Sequence, residues 1–246
     1  MNKTAIDGSF LTAQAKKLGI SLDKTTVDKF SVYANMLIDW NERMNLTAIT
    51  RPDEIVCKHF ADSLSILSLL PEGVSSLIDV GTGAGFPGVP IAIMRPDIKV
   101  TLLDSTNKRI MFLESLCAAI GVNAALLHDR AELAARKSEH RAAYDVSTAR
   151  AVAALPVLCE YCIPFLKTGG RFIAMKGLDG ENEAAVSADA LRLLGGTVRE
   201  VHTVEGIGGE GTNIEPMHRQ LIWIEKTGAT PDKYPRSSAK IASNPL

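Results

Sequence analysis

The chain has 246 residues, of which 46% are hydrophobic and 22% are charged, and its formal net charge at pH 7 is −1. This is the composition of a globular protein with a sizeable core, and the net charge gives no whole-protein electrostatic basis for nucleic-acid binding, so any such site must be a local basic patch. The sequence has neither an apolar run of ~18 residues nor the apolar core of a signal peptide, so we expect no membrane partner and a cytoplasmic location.

The first 72 residues are predicted to form a helical cap that precedes every strand. Apolar residues three or four positions apart predict an amphipathic helix over residues 22–46, with Ser21 or Asp23 as its N-cap. These apolar residues are Val27, Phe30, Tyr33, Leu37, Trp40 and Met44. A second helix is predicted over residues 53–70, beginning after Pro52 and ending before Pro71.

Residues 73–227 alternate between short apolar runs and helical segments, which predicts βαβ units and a parallel sheet. Strands are predicted at residues 75–80, 99–104, 123–128, 144–150 and 168–177, and helices at 87–95, 107–121, 131–136, 152–166 and 181–195. Two further strands, 197–206 and 219–227, are joined by a loop too short for a parallel crossover, so they are predicted to pair antiparallel. This α/β arrangement, a mostly parallel, Rossmann-like sheet of seven strands, resembles the class I methyltransferase fold.

Residues 228–246 form a polar tail with Pro231, Pro235 and Pro245 and few apolar residues. Such a composition does not bury enough apolar surface to offset the entropy that ordering costs. We therefore expect the tail to be disordered, or to be ordered only against a partner.

A glycine-rich turn follows the first predicted strand. Gly81, Gly83 and Gly85 alternate with other residues, which lets the backbone turn tightly and approach a ligand closely. The turn lies at the carboxyl edge of a parallel strand, where open α/β sheets bind ligands. The second predicted strand ends at Asp104, whose carboxylate can accept both hydroxyl groups of a ribose. The sequence therefore predicts a nucleoside-containing cofactor.

A dinucleotide cofactor is the main alternative, because the segment from Gly83 to Gly88 also matches G-x-G-x-x-G. Against it, the turn begins earlier, at Gly81, and Pro87 has no N–H to donate to a pyrophosphate. Nothing downstream resembles a separate hydride-acceptor domain. A phosphate-binding P-loop is excluded because no Gly-Lys-Ser/Thr ends the turn.

Two further strand ends supply candidate pocket residues. Backbone groups of Ala131 and Glu132, after the third strand, can bond the edge of an adenine, although the same residues equally suit a plain helix start. Arg150, at the end of the fourth strand, points to the pocket mouth and can meet a cofactor carboxylate or a substrate phosphate, unless it is a plain surface arginine.

Cys159 and Cys162 form a C-x-x-C pair among four cysteines. A second pair of metal ligands at suitable spacing is absent from the sequence, and the segment is predicted to be a helix packed on the sheet. We therefore predict buried thiols and no metal site.

Several short motifs occur together between about Leu37 and Lys176. They are Trp40-Asn41, Asn45-Leu46-Thr47, His59-Phe60-Ala61-Asp62-Ser63-Leu64, the turn from Asp79 to Gly88, Leu103-Asp104-Ser105 with Lys108-Arg109, Arg130-Ala131-Glu132, Ala149-Arg150-Ala151 and Met175-Lys176-Gly177. In this combination the chain resembles the rRNA small subunit methyltransferase G family, also called the glucose-inhibited division protein B family. The combination is far more specific than any single motif.

The resemblance implies transfer of a methyl group from S-adenosyl-L-methionine to N7 of one guanosine in 16S rRNA. It implies cofactor contacts at Gly81, Phe86, Ala131, Glu132 and Arg150. The expected partner is 16S rRNA within the small ribosomal subunit or its assembly intermediates, and we expect a monomer. The tail departs from the family pattern after Arg236, where residues 237–242 replace a glycine and further prolines, so no RNA contact is assigned to it.

Guanine N7 carries a free lone pair and no proton at neutral pH, so its methylation needs no general base. The enzyme must align N7, the methyl carbon and the sulfur, and such positioning can supply ~7–11 kcal/mol of the barrier. We therefore assign no catalytic residue. Arg150 and Lys176, at two predicted strand ends, are the candidates for positioning the substrate.

Contacts to RNA are expected from basic residues around the carboxyl edge of the sheet. The candidates are Arg51, Lys58, His59, Lys108, Arg109, Arg130, Arg150, Lys176, His218 and Arg219. Side chains reach the major-groove edge of A-form RNA poorly, so the target base should be unpaired or splayed out.

Three other functions remain open. One is a small-molecule methyltransferase on the same fold, which an RNA requirement would separate from the leading hypothesis. Another is a non-catalytic protein that binds a nucleoside or the ribosome without turnover. The third is a dinucleotide-dependent oxidoreductase, which would bind nicotinamide.

Overall fold

The fold is described from a computed structural model, which describes residues 6–209, 212 and 214–246. The strands are β1 Ser76–Val80, β2 Lys99–Asp104, β3 Ala124–His128, β4 Tyr144–Arg150, β5 Leu166–Lys176, β6 Gly196–Ile207 and β7 Met217–Lys226. They form one sheet of seven strands in the order β3-β2-β1-β4-β5-β7-β6. Strands β1 to β5 are parallel, and β7 runs antiparallel between β5 and β6. The predicted sheet and its antiparallel closing pair are confirmed.

Helices cover both faces of the sheet. They are α1 Gly8–Lys17, α2 Lys24–Met44, α3 Pro52–Glu54, α4 Asp62–Leu64, α5 Gly88–Met94, α6 Asn107–Ile120, α7 Ala131–Ala134, α8 Leu155–Cys162, α9 Gly180–Val186, α10 Ala188–Leu194 and α11 Ser238–Ser243. Successive residues of the central strands face two different hydrophobic cores, as Leu102 and Leu103 of β2 do. Because both faces are buried, the strands are near-continuous apolar runs. Within the described residues, no helix is long and apolar enough to cross a membrane.

The N-terminal cap contains both predicted helices and a further one, α1, that the sequence pattern does not predict. Helix α2 begins after its N-cap Asp23, whose carboxylate accepts the Thr26 N–H at 2.7 Å. The second predicted helix is a helical segment over residues 52–69, in which a π-helix, Ile55–Ala61, separates α3 from α4. The cap and one face of the sheet share a hydrophobic core, so a domain boundary at residue 72 stays a prediction.

The tail, residues 228–246, packs on the sheet domain, so the prediction that it is disordered or ordered only by a partner is wrong. Arg136 and Arg141 donate to backbone carbonyls of residues 230–235 at 2.6–3.3 Å. Arg236 pairs at 2.6 Å with the fully buried carboxylate of Glu160 on α8. Composition misses this order because most of these contacts of Arg136 and Arg141 are made to the backbone of the tail, which composition does not report.

Candidate functional site

The glycine turn after β1 is fixed to β2 by hydrogen bonds. The N–H groups of Gly81 and Thr82 donate to the Leu103 carbonyl at 2.9 and 3.0 Å, and the Gly83 N–H donates to Asp104 Oδ2 at 2.9 Å. Gly81 and Gly83 have φ angles of +71° and +61°, which other residues adopt only with strain. Among the described residues, a Cβ at Gly83 would meet nothing nearer than 4.0 Å, so the backbone there faces open space.

The first turn of α5 has every backbone N–H already bonded. Gly88 donates to Asp79 Oδ2 at 2.8 Å, and the next two N–H groups donate to carbonyls of the preceding turn. Pro87 and Pro90 carry no N–H. A pyrophosphate at this helix end needs free N–H groups, so the geometry argues against the dinucleotide alternative.

Three neighbouring pockets follow the carboxyl edge of the parallel strands. The β3-side pocket, about 150 Å³, is lined by residues that include Gly81, Asp104, Ala131, Glu132, Val152 and Tyr161. The central pocket, about 390 Å³, is lined by residues that include Thr47, His59, Gly81, Gly83, Phe86, Asp104, Arg109 and Arg150. The β5-side pocket, about 340 Å³, is lined by residues that include Lys58, His59, Asp62, Arg150, Lys176 and Arg219. The shared residues join the three pockets into one cleft.

The cleft gathers most residues that the sequence predicts for cofactor binding. Five of them line the central pocket, namely Gly81, Gly83, Phe86, Asp104 and Arg150. Ala131 and Glu132 line the β3-side pocket, to which Gly81 and Asp104 also contribute. Gly85 faces the core instead, since a Cβ there would lie 2.6 Å from the Tyr33 hydroxyl. Its φ of +101° and this close packing require glycine, so Gly85 has a packing role, and its contact with the cofactor stays a prediction.

The Asp104 carboxylate is 3% exposed and supports the turn while it faces the central pocket. It accepts the N–H groups of Gly83 and Thr106 at 2.9 and 2.8 Å. Its third partner, Arg109, is longer at 3.2 Å and has a side chain that is 41% exposed. Arg109 is therefore the partner that a ligand hydroxyl can displace.

Arg150 lies at the boundary between the central and β5-side pockets. Its guanidinium donates to Asp62 Oδ2 at 2.7 Å and to the Lys58 carbonyl at 3.1 Å. The same group lies 5.0 Å from the centre of the Phe86 ring. The structure therefore places Arg150 in the cleft, although the sequence does not show that the N-terminal cap holds its side chain.

His59 forms the wall of the cleft beside Arg150. Its ring stacks on Phe86 with centres 4.3 Å apart. Burial, and then the nearby Arg150 charge, lower the pKa of His59 to about 3, so the imidazole is neutral. An Arg150 nitrogen lies 3.3 Å from Nδ1, which must accept, so Nε2 carries the proton and donates to Thr47 Oγ1 at 2.9 Å. His59 is thus fully hydrogen-bonded and cannot act as a base.

Lys176 lies in the β5-side pocket, but the contacts of its ammonium group hold a neighbouring loop in place. Its Nζ lies 2.7 Å from Glu183 Oε2 and 2.9 Å from the Ala153 carbonyl. Glu183 also accepts the N–H of Leu155, the first residue of α8. These contacts fix residues 151–154, the loop whose Val152 packs against Gly81. Direct substrate positioning by Lys176 stays a prediction.

The other candidates for RNA contact divide by position. Lys58, His59, Arg150, Lys176 and Arg219 line the β5-side pocket, Arg109 lines the central pocket and Arg130 lines the β3-side pocket. Arg51 pairs with Asp53 on the surface, and His218 lies 3.7 Å from Glu205. The β5-side pocket is therefore the local basic patch that a nearly neutral chain requires.

Three contributors to the cleft have no role in the sequence-based prediction. Asp62 and Thr47 lie within motifs of the family resemblance, which is the signal that marks them, whereas Glu183 has no such signal. Asp62 is 1% exposed and bonds two arginines.

Cys159 and Cys162 are buried as predicted, and burial raises the pKa of both thiols.

The sheet order and the cleft at its carboxyl edge are those of the class I methyltransferase fold. The structure superimposes on a precorrin-6y C5,15-methyltransferase from Geobacter metallireducens with a TM-score of 0.51 and 14% identity, covering 73% of this chain and 90% of that one. It superimposes on the antibiotic-resistance methyltransferase Kmr with a TM-score of 0.50 and 20% identity, covering 68% and 94%. Both likenesses show the fold alone.

The family is shown by sequence. Residues 26–209 match the model of GidB, rRNA small subunit methyltransferase G. Proteins named ribosomal RNA small subunit methyltransferase G from Clostridium kluyveri and Acetivibrio thermocellus are each 45% identical over 233 residues, covering 94% of this chain and 95% and 93% of theirs. One from Staphylococcus epidermidis is 42% identical over 239 residues, covering 96% and 97%. This chain belongs to that family and is a methyltransferase.

Proposed function

We propose that this chain transfers a methyl group from S-adenosylmethionine to N7 of a guanosine in the 16S rRNA of the small ribosomal subunit. The family to which the chain belongs and the names of its relatives support an rRNA substrate. One observation carries the proposal: a glycine-lined half and a basic half of one cleft meet at His59 and Arg150. A cofactor in the first half and a nucleotide in the second would meet at this boundary.

The residues of the central and β3-side pockets fit S-adenosylmethionine. The open space at Gly83 admits a ligand against the backbone, and Asp104 offers a buried carboxylate to ribose hydroxyls. The first hydrogen bonds of α7 are made by later N–H groups, which leaves those of Ala131 and Glu132 suited to the adenine edge. Arg150 suits the carboxylate of the methionine part.

S-adenosylmethionine, when bound, supplies an electrophilic methyl group on a sulfonium centre. The protein's task is then alignment, because the N7 lone pair attacks without loss of a proton. The rigid wall of Phe86 and His59 fixes the boundary between the pockets. His59 holds its proton on Nε2 toward Thr47 and does not exchange it with the substrate. Alignment of this kind can supply ~7–11 kcal/mol of the barrier.

The β5-side pocket is proposed to hold the target guanosine in an unpaired state. Its volume of about 340 Å³ and its basic lining suit a nucleotide, and duplex RNA does not present N7 to side chains. One chain lines all three pockets, so a monomer would suffice for the reaction. It would act in the cytoplasm, on the small subunit or its assembly intermediates. A small-molecule acceptor in the same pocket is the second candidate.

The experiment is a methyl-transfer assay with labelled S-adenosylmethionine and three acceptors. They are small ribosomal subunits from a strain that lacks this protein, protein-free 16S rRNA, and a small-molecule extract of the same strain. Label in the subunits or the rRNA supports the proposal. Label confined to the small-molecule extract would instead favour the second candidate.

A further inference from the structure

Arg219 of β7 has donors that the described residues do not use. Its Nε donates to Asp62 Oδ1 at 2.8 Å, and its guanidinium makes no other hydrogen bond or ion pair within the described part of the chain. The side chain is 32% exposed and lines the β5-side pocket but not the central pocket. As far as the described residues go, both terminal amino groups of Arg219 have no hydrogen-bond partner and can bind a ligand in the basic half of the cleft.

Asp62 holds Arg219 and Arg150 as a pair. Its two oxygens each accept from one arginine, at 2.8 and 2.7 Å, and the carboxylate is 1% exposed. Asp62 directly follows the π-helix Ile55–Ala61, and the wider turn of such a helix often occurs at functional sites. The carboxylate thus fixes both guanidinium groups in one geometry before any ligand binds.

Counted over residues 6–209, 212 and 214–246, the charges of this pocket leave one positive charge uncompensated. Lys58 pairs with Glu54 at 2.7 Å and Lys176 pairs with Glu183 at 2.7 Å, so each lysine has its own carboxylate. Arg150 and Arg219 share the single carboxylate of Asp62. His59 is neutral and adds no charge. An anion in the β5-side pocket would therefore complete the pairing.

We propose that Arg219 binds a backbone phosphate of the RNA at or next to the target guanosine, with Arg150 at its side. This inference rests on the proposed function and adds a phosphodiester subsite to it. The planar fork of an arginine matches two phosphate oxygens. Arg150 lines both pockets and is shared with the cofactor, whereas Arg219 faces the nucleotide half alone. Arg219 is thus a substrate-positioning residue rather than a cofactor ligand.

The test compares the wild type with Arg219→Gln and Arg219→Lys. Binding of unmethylated small subunits is measured by filter binding between 50 and 300 mM KCl, and binding of S-adenosylhomocysteine by calorimetry. Loss of a phosphate contact should weaken subunit binding by about 10-fold or more for Arg219→Gln and reduce the slope of log K against log salt by roughly 0.7–0.9. Arg219→Lys keeps the charge and should keep the slope. Affinity for S-adenosylhomocysteine should be unchanged in both.

Arg199→Gln is the matched control, because Arg199 also lies on a strand and pairs with a carboxylate, Glu225, at 2.6 Å. Arg199 lies near the start of β6, beside the end of β7, whereas Arg219 lies near the start of β7. Arg199→Gln should therefore keep the wild-type slope. An unchanged slope in Arg219→Gln, or an equal loss of S-adenosylhomocysteine affinity, would overturn the inference. If Arg219→Gln does not fold, a flattened slope in Arg219→Lys overturns it as well. Failure of the wild type to methylate subunits or rRNA would refute the proposed function itself.

Discussion

The Arg150 guanidinium donates to the Asp62 carboxylate at 2.7 Å although 88 positions separate the two residues. Arg150 ends a strand of the sheet, and Asp62 follows the π-helix of the N-terminal cap. Their contact makes the cap a wall of the cleft rather than a separate layer. Asp62 and Arg150 therefore connect the stability of the cap to the geometry of the site.

Asp62→Asn should destabilise the fold as well as the site. It removes the charge shared by two arginines whose side chains are 13% and 32% exposed. We expect a loss of about 2–3 kcal/mol in the free energy of unfolding, below the ~3–5 kcal/mol of a fully buried pair, because water screens the arginines in part. Urea unfolding measures it. Asp97→Asn, which breaks an exposed pair with Arg95, should cost far less, and equal losses in the two variants would contradict the structural role of Asp62.

Gly83→Ala should lower cofactor affinity. The new methyl group would enter the space in front of the turn, at a φ of +61°. Gly121→Ala is a close control, because Gly121 has the same φ of +61° and open space but lies at the end of α6, outside the cleft. Both variants should lose about 1 kcal/mol of stability. Calorimetry should show at least a ~10-fold loss of S-adenosylhomocysteine affinity for Gly83→Ala alone; similar affinities in the two variants would place the cofactor elsewhere.

His59 should make the protein less stable in acid. Its folded pKa of about 3 lies below the ordinary value of 6.5, so the unfolded chain takes up a proton first. The stability contributed by the neutral imidazole is therefore complete above pH 6.5 and is lost as pH falls toward 3. Between pH 8 and pH 5 this loss amounts to about 2 kcal/mol.

The measurement for His59 is urea unfolding at several pH values for the wild type and for His59→Gln. The comparison of variants is needed because Asp79, whose pKa burial raises to about 6, changes stability in the opposite direction. The loss of unfolding free energy between pH 8 and pH 5 should be smaller by about 2 kcal/mol in His59→Gln than in the wild type. An identical loss in the wild type and His59→Gln would show that His59 is not the acid-sensitive group.

Arg236→Met should detach the tail, residues 228–246, from helix α8. It leaves the fully buried carboxylate of Glu160 without its arginine, and removal of one partner of a buried pair costs about 3–5 kcal/mol. The double variant Glu160→Met with Arg236→Met removes both charges and should recover much of that loss. Unfolding free energies and protease cleavage within residues 228–246 measure the effect. A tail that stays protected and fully stable in the single variant would disprove its anchoring by Glu160.

Local patterns were sufficient for the sheet, the glycine turn and the strand ends. The apolar runs predict β1, β2 and β4 because these central strands are buried on both faces. Gly83 and Asp104 were predicted together because parallel strands end at one edge. Gly85 was assigned to the cofactor by its spacing alone, and only the position of the distant Tyr33 shows that it faces the core.

Long-range pairings were not accessible from the sequence. The bond between Arg236 and Glu160 spans 76 positions, and no local rule connects a polar tail to a carboxylate buried in α8. The π-helix of the cap was predicted as an ordinary helix, because the apolar spacing of one turn does not distinguish the two. The partners of Arg150, including Asp62, follow from tertiary packing alone.

Mass spectrometry of the product shows whether the methyl group is transferred to N7 of guanosine in 16S rRNA. Small subunits from a strain lacking this protein are incubated with the wild type, Gly83→Ala or Gly121→Ala and labelled S-adenosylmethionine, and the 16S rRNA is digested to nucleosides. We expect label in 7-methylguanosine with the wild type and Gly121→Ala, and little with Gly83→Ala. Label in another nucleoside, or at another atom of guanosine, would contradict the proposed alignment of N7 at the boundary formed by His59 and Arg150.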